Sequence, residues 1–239
     1  MAARADSGRL VWERAEPVQR GGLSPLSRER VVAAAMSLAD AEGLDAVSLR
    51  KVAAALDVGP MRLYGYVSTK DELLDLMVDS VYGEIPLPRK AGRQWQRTIR
   101  ALARGLRKAA RQHEWFADLL GGRPQLGPNA LAYTESLLAG VRAAPGFEDI
   151  GAVLAAVGTV HSYVLGAIRV EITELRQERA SGLDELRWQR EVGPYLERML
   201  ATGRFPMLAE VVRDAVHPSR DTAFETGLGQ VLRGISSTA

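Results

Sequence analysis

Between Pro60 and Lys70 the chain sets Arg62, Tyr64, Tyr66 and Lys70 at close intervals, with Pro60 and Met61 leading and Leu63 and Val67 as the large aliphatic positions in between. Such side chains suit a polyanion with readable edges. An arginine fork donates two hydrogen bonds to guanine O6 and N7, worth about 1–3 kcal/mol against a wrong base, so Arg62 is the expected base reader. Tyrosine hydroxyls and a lysine ammonium donate to phosphate oxygens, which sets register more than sequence; Tyr64, Tyr66 and Lys70 are expected in that role. Taken singly, the same residues also suit packed aromatics and a solvated charge, and the elements around them decide.

Other chemistries have less to stand on. The chain has no cysteine, which excludes disulfides, thiolate zinc sites and cysteine nucleophiles. His113, His161 and His217 lie on separate segments, without H-x-x-x-H or carboxylate–histidine spacing, and there is no glycine-rich phosphate loop. No metal and no cofactor is expected, and nothing marks a nucleophile. A helical enzyme stays as the alternative of a different class.

The elements that would position the first cluster can be read from caps and periodicity. Ser48 is placed to accept a backbone N–H and open a helix whose buried face is Leu49, Val52, Ala53 and Leu56. The chain then turns through Asp57, Val58 and Gly59, and Pro60 fits a first helical position, where its missing N–H costs nothing. A second short helix is predicted over Pro60–Tyr66, with Leu63 and Val67 turned to the core. Thr69 and Glu72 spell a capping box that starts a helix through Leu73, Leu74, Met77 and Val81. Ahead of these, Val31, Val32, Ala35, Leu38 and Ala39 recur at helical steps from Ser27, and Gly43 is placed to end them. Two short helices joined by a tight turn make a helix-turn-helix, a unit sized for a major groove.

Residues 1–26 mix Gly, Pro and Ser with Arg4, Arg9, Arg14 and Arg20 and show no helical period, so a flexible arm is expected there. Arg14 and Arg20 either reach a minor groove or belong to a tail with no role. Ile85-Pro86-Leu87-Pro88 interrupts the helical pattern and divides the chain into the arm, a helix-turn-helix domain over 27–84 and a larger domain over 85–239. In the larger domain helices are predicted over roughly 93–113, 128–143, 149–179, 183–202, 206–215 and 221–235, with no alternating strand pattern. The fold class is therefore all-α, the larger domain a helical bundle, and 239 residues at 46% hydrophobic can bury its core. No uninterrupted apolar run of 18 residues and no signal-type leader occurs, so a soluble, cytoplasmic protein without a membrane partner is expected. The formal charge of +2 argues little for nucleic acid, and residues 27–80 carry nine acids against six bases.

Trp95, Trp115, Phe116 and Tyr133 lie on helices that could wall a cavity, with His161 and Tyr163 on the long helix beside them. An apolar pocket with a few polar handles is the usual form of a small-molecule site; ordinary core packing is the other reading. Arg93, Arg97, Arg100, Arg104, Arg107 and Arg111 repeat along one helical face, and no acid occurs between Glu84 and Glu114. This stripe is the wet side of an amphipathic helix, or meets acids on a neighbouring helix, or faces an anionic ligand.

The run RERVVAAAMSLADAEGLDAVSLRKVAAALDVGPMRLYGYVSTKDELLDLMVD resembles the TetR family of one-component transcriptional repressors. Trp95, YVLGA (163–167), FPML (205–208) and FETGL (224–228) make the larger domain similar to the tetracycline-repressor type. The resemblance implies a homodimer on palindromic operator DNA, released by a small-molecule inducer, with an exporter gene as a plausible target. It matches Tyr64 and Lys70 to phosphate contacts and Arg50 to a further DNA-facing position, while Gly65 departs from the larger residue often found there. It brings Leu102, Leu106, Leu119, Tyr133, Val157 and His161 near ligand-contact positions. For the dimer it implies an interface of two helices, one carrying Gly151, Gly158 and Gly166, the other Phe224, Gly227, Leu228, Val231 and Leu232. A larger domain that answers to a protein partner, with no small ligand, is the alternative.

Overall fold

Short polar side chains start the helices where their hydroxyls meet orphan backbone donors. In the computed structural model, which describes residues 9–17, 26–88, 94–216 and 218–237, Ser27 accepts from the Arg30 N–H at 3.2 Å and opens α1 (Arg28–Glu42). Ser48 does the same for α2 (Leu49–Ala55) through the Lys51 N–H. The following turn puts its positive φ, 52°, on Asp57, whereas Gly59 is extended at −67°; aspartate tolerates the left-handed region better than most residues. Pro60 begins α3 (Pro60–Leu63), shorter than predicted because Tyr64–Tyr66 leave the helix in a turn closed by the Tyr66 N–H on the Leu63 carbonyl at 2.8 Å. Thr69 caps α4 (Lys70–Gly83) by accepting from the Glu72 N–H at 3.1 Å. The return limb departs from the expected capping box: the Glu72 carboxylate takes the Ser68 N–H at 2.7 Å.

The larger domain contains α5 (Trp95–Gln112), α6 (Phe116–Leu119), α7 (Pro128–Arg142), α8 (Ile150–Ser181), α9 (Glu185–Leu200), α10 (Pro206–Asp214) and α11 (Arg220–Ser237). Among the described residues there is no strand, and the fold is all-helical as expected. Only α6 escapes the periodic reading, being a single turn too short to show a period. Helices α5, α7, α8 and α11 form the bundle; α4 packs on α1 at one side and on α5, α6 and α7 at the other. One apolar cluster runs without a break from Val31 through Met77 and Leu102 to Leu232. Ile85, at the expected domain boundary, is itself buried and presses on Gly105.

The α4–α7 contact is built around a buried acid. The Asp79 carboxylate accepts from the backbone N–H groups of Asn129 and Ala130, both at 2.9 Å, and from the Asn129 side chain at 3.1 Å. One helix thus caps the N-terminus of another. Gly127 makes the room, since a Cβ there would lie 2.1 Å from an Asp79 oxygen. Burial raises the Asp79 pKa, and the hydrogen bonds from Ala130 and Asn129 work against that rise.

Where a flexible arm is expected, the described part carries local structure: Val11–Glu13 form a single 3-10 turn with Val11 buried. Arg4 and Arg20 lie outside the described residues. At the other end α9 and α10 bury none of their residues and expose Leu186, Trp188, Tyr195, Met207, Leu208, Val211 and Val212.

Asp79→Ala is expected to destabilise the chain by about 2 kcal/mol, because it strands buried backbone donors. Asp79→Asn, which keeps an acceptor oxygen, should cost clearly less. Urea unfolding of the two variants checks this, and equal losses would contradict the capping role.

Candidate nucleic-acid interface and regulatory core

The short α3 projects most of its own side chains outward. Met61 is 81% exposed and Tyr64 50%, with Pro60 exposed beside them, while Leu63 points into the core. Arg50 on α2 and Lys70 at the start of α4 are exposed around the same surface, and Arg62 is half-buried. Six of the expected DNA-facing residues, Arg50, Pro60, Met61, Arg62, Tyr64 and Lys70, therefore fall on the elements that frame α3. Tyr66 does not join them. It is 5% exposed, because the turn after α3 folds its ring inward, and its backbone carbonyl accepts from Arg28 Nε at 3.4 Å. Arg14 is also committed elsewhere: its guanidinium donates to Ser68 Oγ at 2.6 Å and binds the Glu72 carboxylate. The Arg14 Nη groups are engaged within the head, and Tyr66 lies inward of the exposed surface.

The residues expected around a ligand cavity are mostly packed against one another. Trp95, Leu102, Leu106, Trp115, Phe116, Tyr133 and Val157 are buried, and Leu119 and His161 are half-buried. Tyr82 on α4 stacks edge-on to Phe116 at 5.5 Å between ring centroids and lies 5.3 Å from Tyr133; Trp115 stands 6.3 Å from Phe116. Burial pushes the Tyr82 hydroxyl up to about 12 and raises that of Tyr133 further, while it lowers the His161 pKa. A cleft of about 780 Å³ opens instead between α8, the start of α9 and α11, lined by Tyr163, Val170, Trp188 and Phe224 with Glu171 and Glu174. A second, of about 450 Å³, lies at the start of α5 beside Trp95, Arg97 and Arg100. Of the nine expected residues only Trp95 borders either one.

The arginine stripe meets acids on two neighbouring helices. Arg107, 8% exposed, grips Glu171 of α8 through Nε at 2.6 Å and Nη2 at 3.0 Å and lies 4.6 Å above the Phe224 ring. Arg111 shares Glu171 and reaches Asp221 of α11, and Arg104 binds Glu225 of α11 at 2.6 Å. Arg97 stays exposed, and Arg93 lies outside the described residues. Gly227, grouped by sequence with the dimer-facing residues, is instead pressed on the Tyr163 ring of its own chain, and Phe224, Leu228 and Leu232 are buried there too.

A polar node between the two domains has no sequence signal. His113, 6% exposed, places Nδ1 2.8 Å from Asp40 on α1 and Nε2 3.2 Å from Glu84 at the end of α4. Trp115 Nε1 donates to the same Asp40 at 2.6 Å. The corner that carries His113 and Trp115 is tied to α8, where Arg176 pairs with Asp118 and Arg179 with Glu114. The partners of His113 lie far off in sequence, so no spacing rule finds them.

Comparisons with known proteins agree with this geometry. The model described as bacterial regulatory proteins, tetR family, matches residues 31–77, and that described as tetracyclin repressor-like, C-terminal domain, matches 87–239. The chain is 37% identical over 227 residues to the HTH-type transcriptional repressor DrrR1 of Streptomyces coeruleorubidus, covering 95% of this chain and 83% of that protein. It is 40% identical over 171 residues to an HTH-type transcriptional regulator of Saccharopolyspora erythraea, 71% of each chain. Among solved structures, ActR of Streptomyces coelicolor in complex with actinorhodin superposes with a TM-score of 0.77 at 28% identity, over 91% of this chain and 98% of that one.

The seam between α5, α8 and α11 carries a pH signature. The Arg104 hydrogen bond lowers the Glu225 pKa and the Arg179 hydrogen bond lowers that of Glu114, each opposed by burial, from an ordinary 4.5. A folded value below the unfolded one gives stabilisation that is present above 4.5 and lost as the pH falls through the lowered folded value. The urea midpoint is expected to fall on acidification through this window, and Glu225→Gln to flatten that fall.

Proposed function

Because the chain belongs to the TetR family of bacterial regulatory proteins and is a DNA-binding transcriptional repressor, we propose that it holds a palindromic operator as a homodimer and is released by a small molecule. The observation that carries the reading is α3 itself. A capped helix-turn-helix presents Pro60, Met61, Tyr64 and the half-buried Arg62 on one outward surface, flanked by the exposed cations Arg50 and Lys70. In this reading Arg62 reads a base edge, and Tyr64 and Lys70 hold phosphates. Such a repressor resides in the cytoplasm with its operator, and an exporter gene is the proposed target.

The homodimer is supported by apolar surface that a second copy would cover. Ile150, Leu154 and Val170 on α8 are exposed, and Gly158 and Gly166 have open space beside them. Two heads about 34–36 Å apart enter successive major grooves of one operator. The cleft beside Trp188 and Phe224 falls within the usual size of a small-molecule site, and ActR, of similar fold, has been solved with actinorhodin. Occupation of the cleft would act on Glu171, which lines it and orients Arg107 and Arg111 of α5. The closed aromatic cluster of Tyr82, Phe116 and Tyr133 would pass the movement to α4.

A duplex selected from random DNA by the full chain is the probe. Arg62→Ala is expected to relax preference at one base pair, with a loss of about 1–3 kcal/mol for the preferred base. Lys70→Ala should weaken all sequences alike and reduce the salt slope by about one. Unchanged base preference in Arg62→Ala would remove Arg62 from the reading role, and a chain that sediments as a monomer with and without DNA would overturn the homodimer.

A further inference from the structure

The chain ahead of α1 is tied to α1, to the start of α4 and to the turn that follows α3. Its 3-10 turn is closed by the Glu13 N–H on the Leu10 carbonyl at 2.9 Å and by the Leu10 N–H on the Glu13 carboxylate at 3.0 Å. Val11 is buried, which anchors this turn to the head. Beyond it, Arg14 reaches Ser68 and Glu72, the residues that organise the start of α4. The Arg14 carbonyl accepts from Arg28 Nη2 at 3.0 Å, and the same guanidinium holds the Tyr66 carbonyl through Nε. The Tyr64–Tyr66 turn is thus bounded by α1, by the α4 cap and by the strap. Pro17 completes the enclosure: a Cβ built at Gly65 would stand 2.9 Å from Pro17 Cγ, so the glycine is what admits the proline ring.

A helix of four residues cannot hold its own geometry, because nucleation fixes more dihedral freedom than one turn of hydrogen bonds repays. The tilt of α3 must be imposed from outside. Its N-terminal side is set by the turn from α2, and its C-terminal side by the contacts just described. We propose that residues 11–17 are a clamp of the DNA-reading head, which pins the Tyr64–Tyr66 turn against the start of α4 and so sets the presentation of α3 to DNA. Arg14 and Pro17 are positioning residues in this scheme, acting through Ser68, Glu72 and Gly65. The segment precedes residues 31–77, over which the family resemblance of the head extends. The inference rests on the DNA-reading role proposed above.

The test uses the full chain and the duplex that it selects from random DNA, with a scrambled duplex as the second probe. Gly65→Ala is expected to weaken the selected duplex about tenfold, while the thermal midpoint and the affinity for the scrambled duplex stay close to those of the parent. Pro17→Ala added to Gly65→Ala removes Cγ and leaves a Cβ 3.9 Å away, so most of the lost affinity should return. Arg14→Gln, which breaks the clamp at its other end, should weaken selected binding without altering the scrambled duplex. Wild-type affinity in Gly65→Ala would overturn the clamp. So would a double variant no better than Gly65→Ala, because the alanine would then be disturbing DNA directly. A parent chain that selects no sequence would overturn the DNA-reading role, and the clamp with it.

Discussion

A carboxylate in the middle of α4 holds together the two halves of this molecule. Asp79 ends three hydrogen bonds on the first turn of α7, and although its burial costs desolvation, removing it would strand the buried backbone donors of that turn. The joint therefore moves as a unit. Since the start of α4 is bonded through Ser68 and Glu72 to the chain that flanks α3, a displacement of α7 reaches the reading helix along one stiff rod. His113 supplies a second connection, to Asp40 of α1 and Glu84 of α4. The α5–α6 corner is thus attached to two different helices of the head.

The arginines of α5 act by orientation more than by strength. Arg107 and Glu171 are both nearly excluded from water, and in such a pair the desolvation of two charges offsets much of their attraction. What the forked geometry does is fix direction, since two parallel N–H donors accept only one orientation of the carboxylate. Arg104 with Glu225 is more open to solvent and contributes less. The stripe sets the rotation of α5 against α8 and α11, while the apolar residues on its other side, Ile99, Leu102 and Leu106, supply the burial that stabilises the helix.

Local physics made much of this legible in the sequence. Ser27, Ser48 and Thr69 act as caps, and the bundle helices end within a few residues of their predicted bounds, because capping and periodicity are properties of neighbours in sequence. What could not be read depends on pairs far apart. Arg14 finds Glu72, His113 finds Asp40, and Arg107 finds Glu171 only after the chain has folded. An outward Tyr66 follows from a helix over Pro60–Tyr66, but the helix stops at Leu63 and the turn carries the ring inward. For the aromatics of the larger domain, burial was foreseeable and hollowness was not: hydrophobicity places a ring inside, but whether a void remains beside it depends on how neighbours such as Tyr82 and Phe116 interlock.

Exposure in the larger domain has two different physical characters. On α8, Gly158 and Gly166, with open space beside them, lie between the exposed Leu154 and Val170, which makes a shallow face suited to close approach of a rigid helix. On α9 and α10 the exposed groups are large, Trp188, Tyr195, Met207 and Leu208 among them, on helices that bury nothing of their own. Extended apolar surface of this kind marks an interaction site. In the proposed homodimer both would be covered by the second copy, and Glu171 sits on the inner face of the same α8, where it orders α5. Dimer packing and the orientation of α5 then share one helix, so a ligand in the neighbouring cleft that shifts α8 acts on the spacing of the heads and on the tilt of each head together.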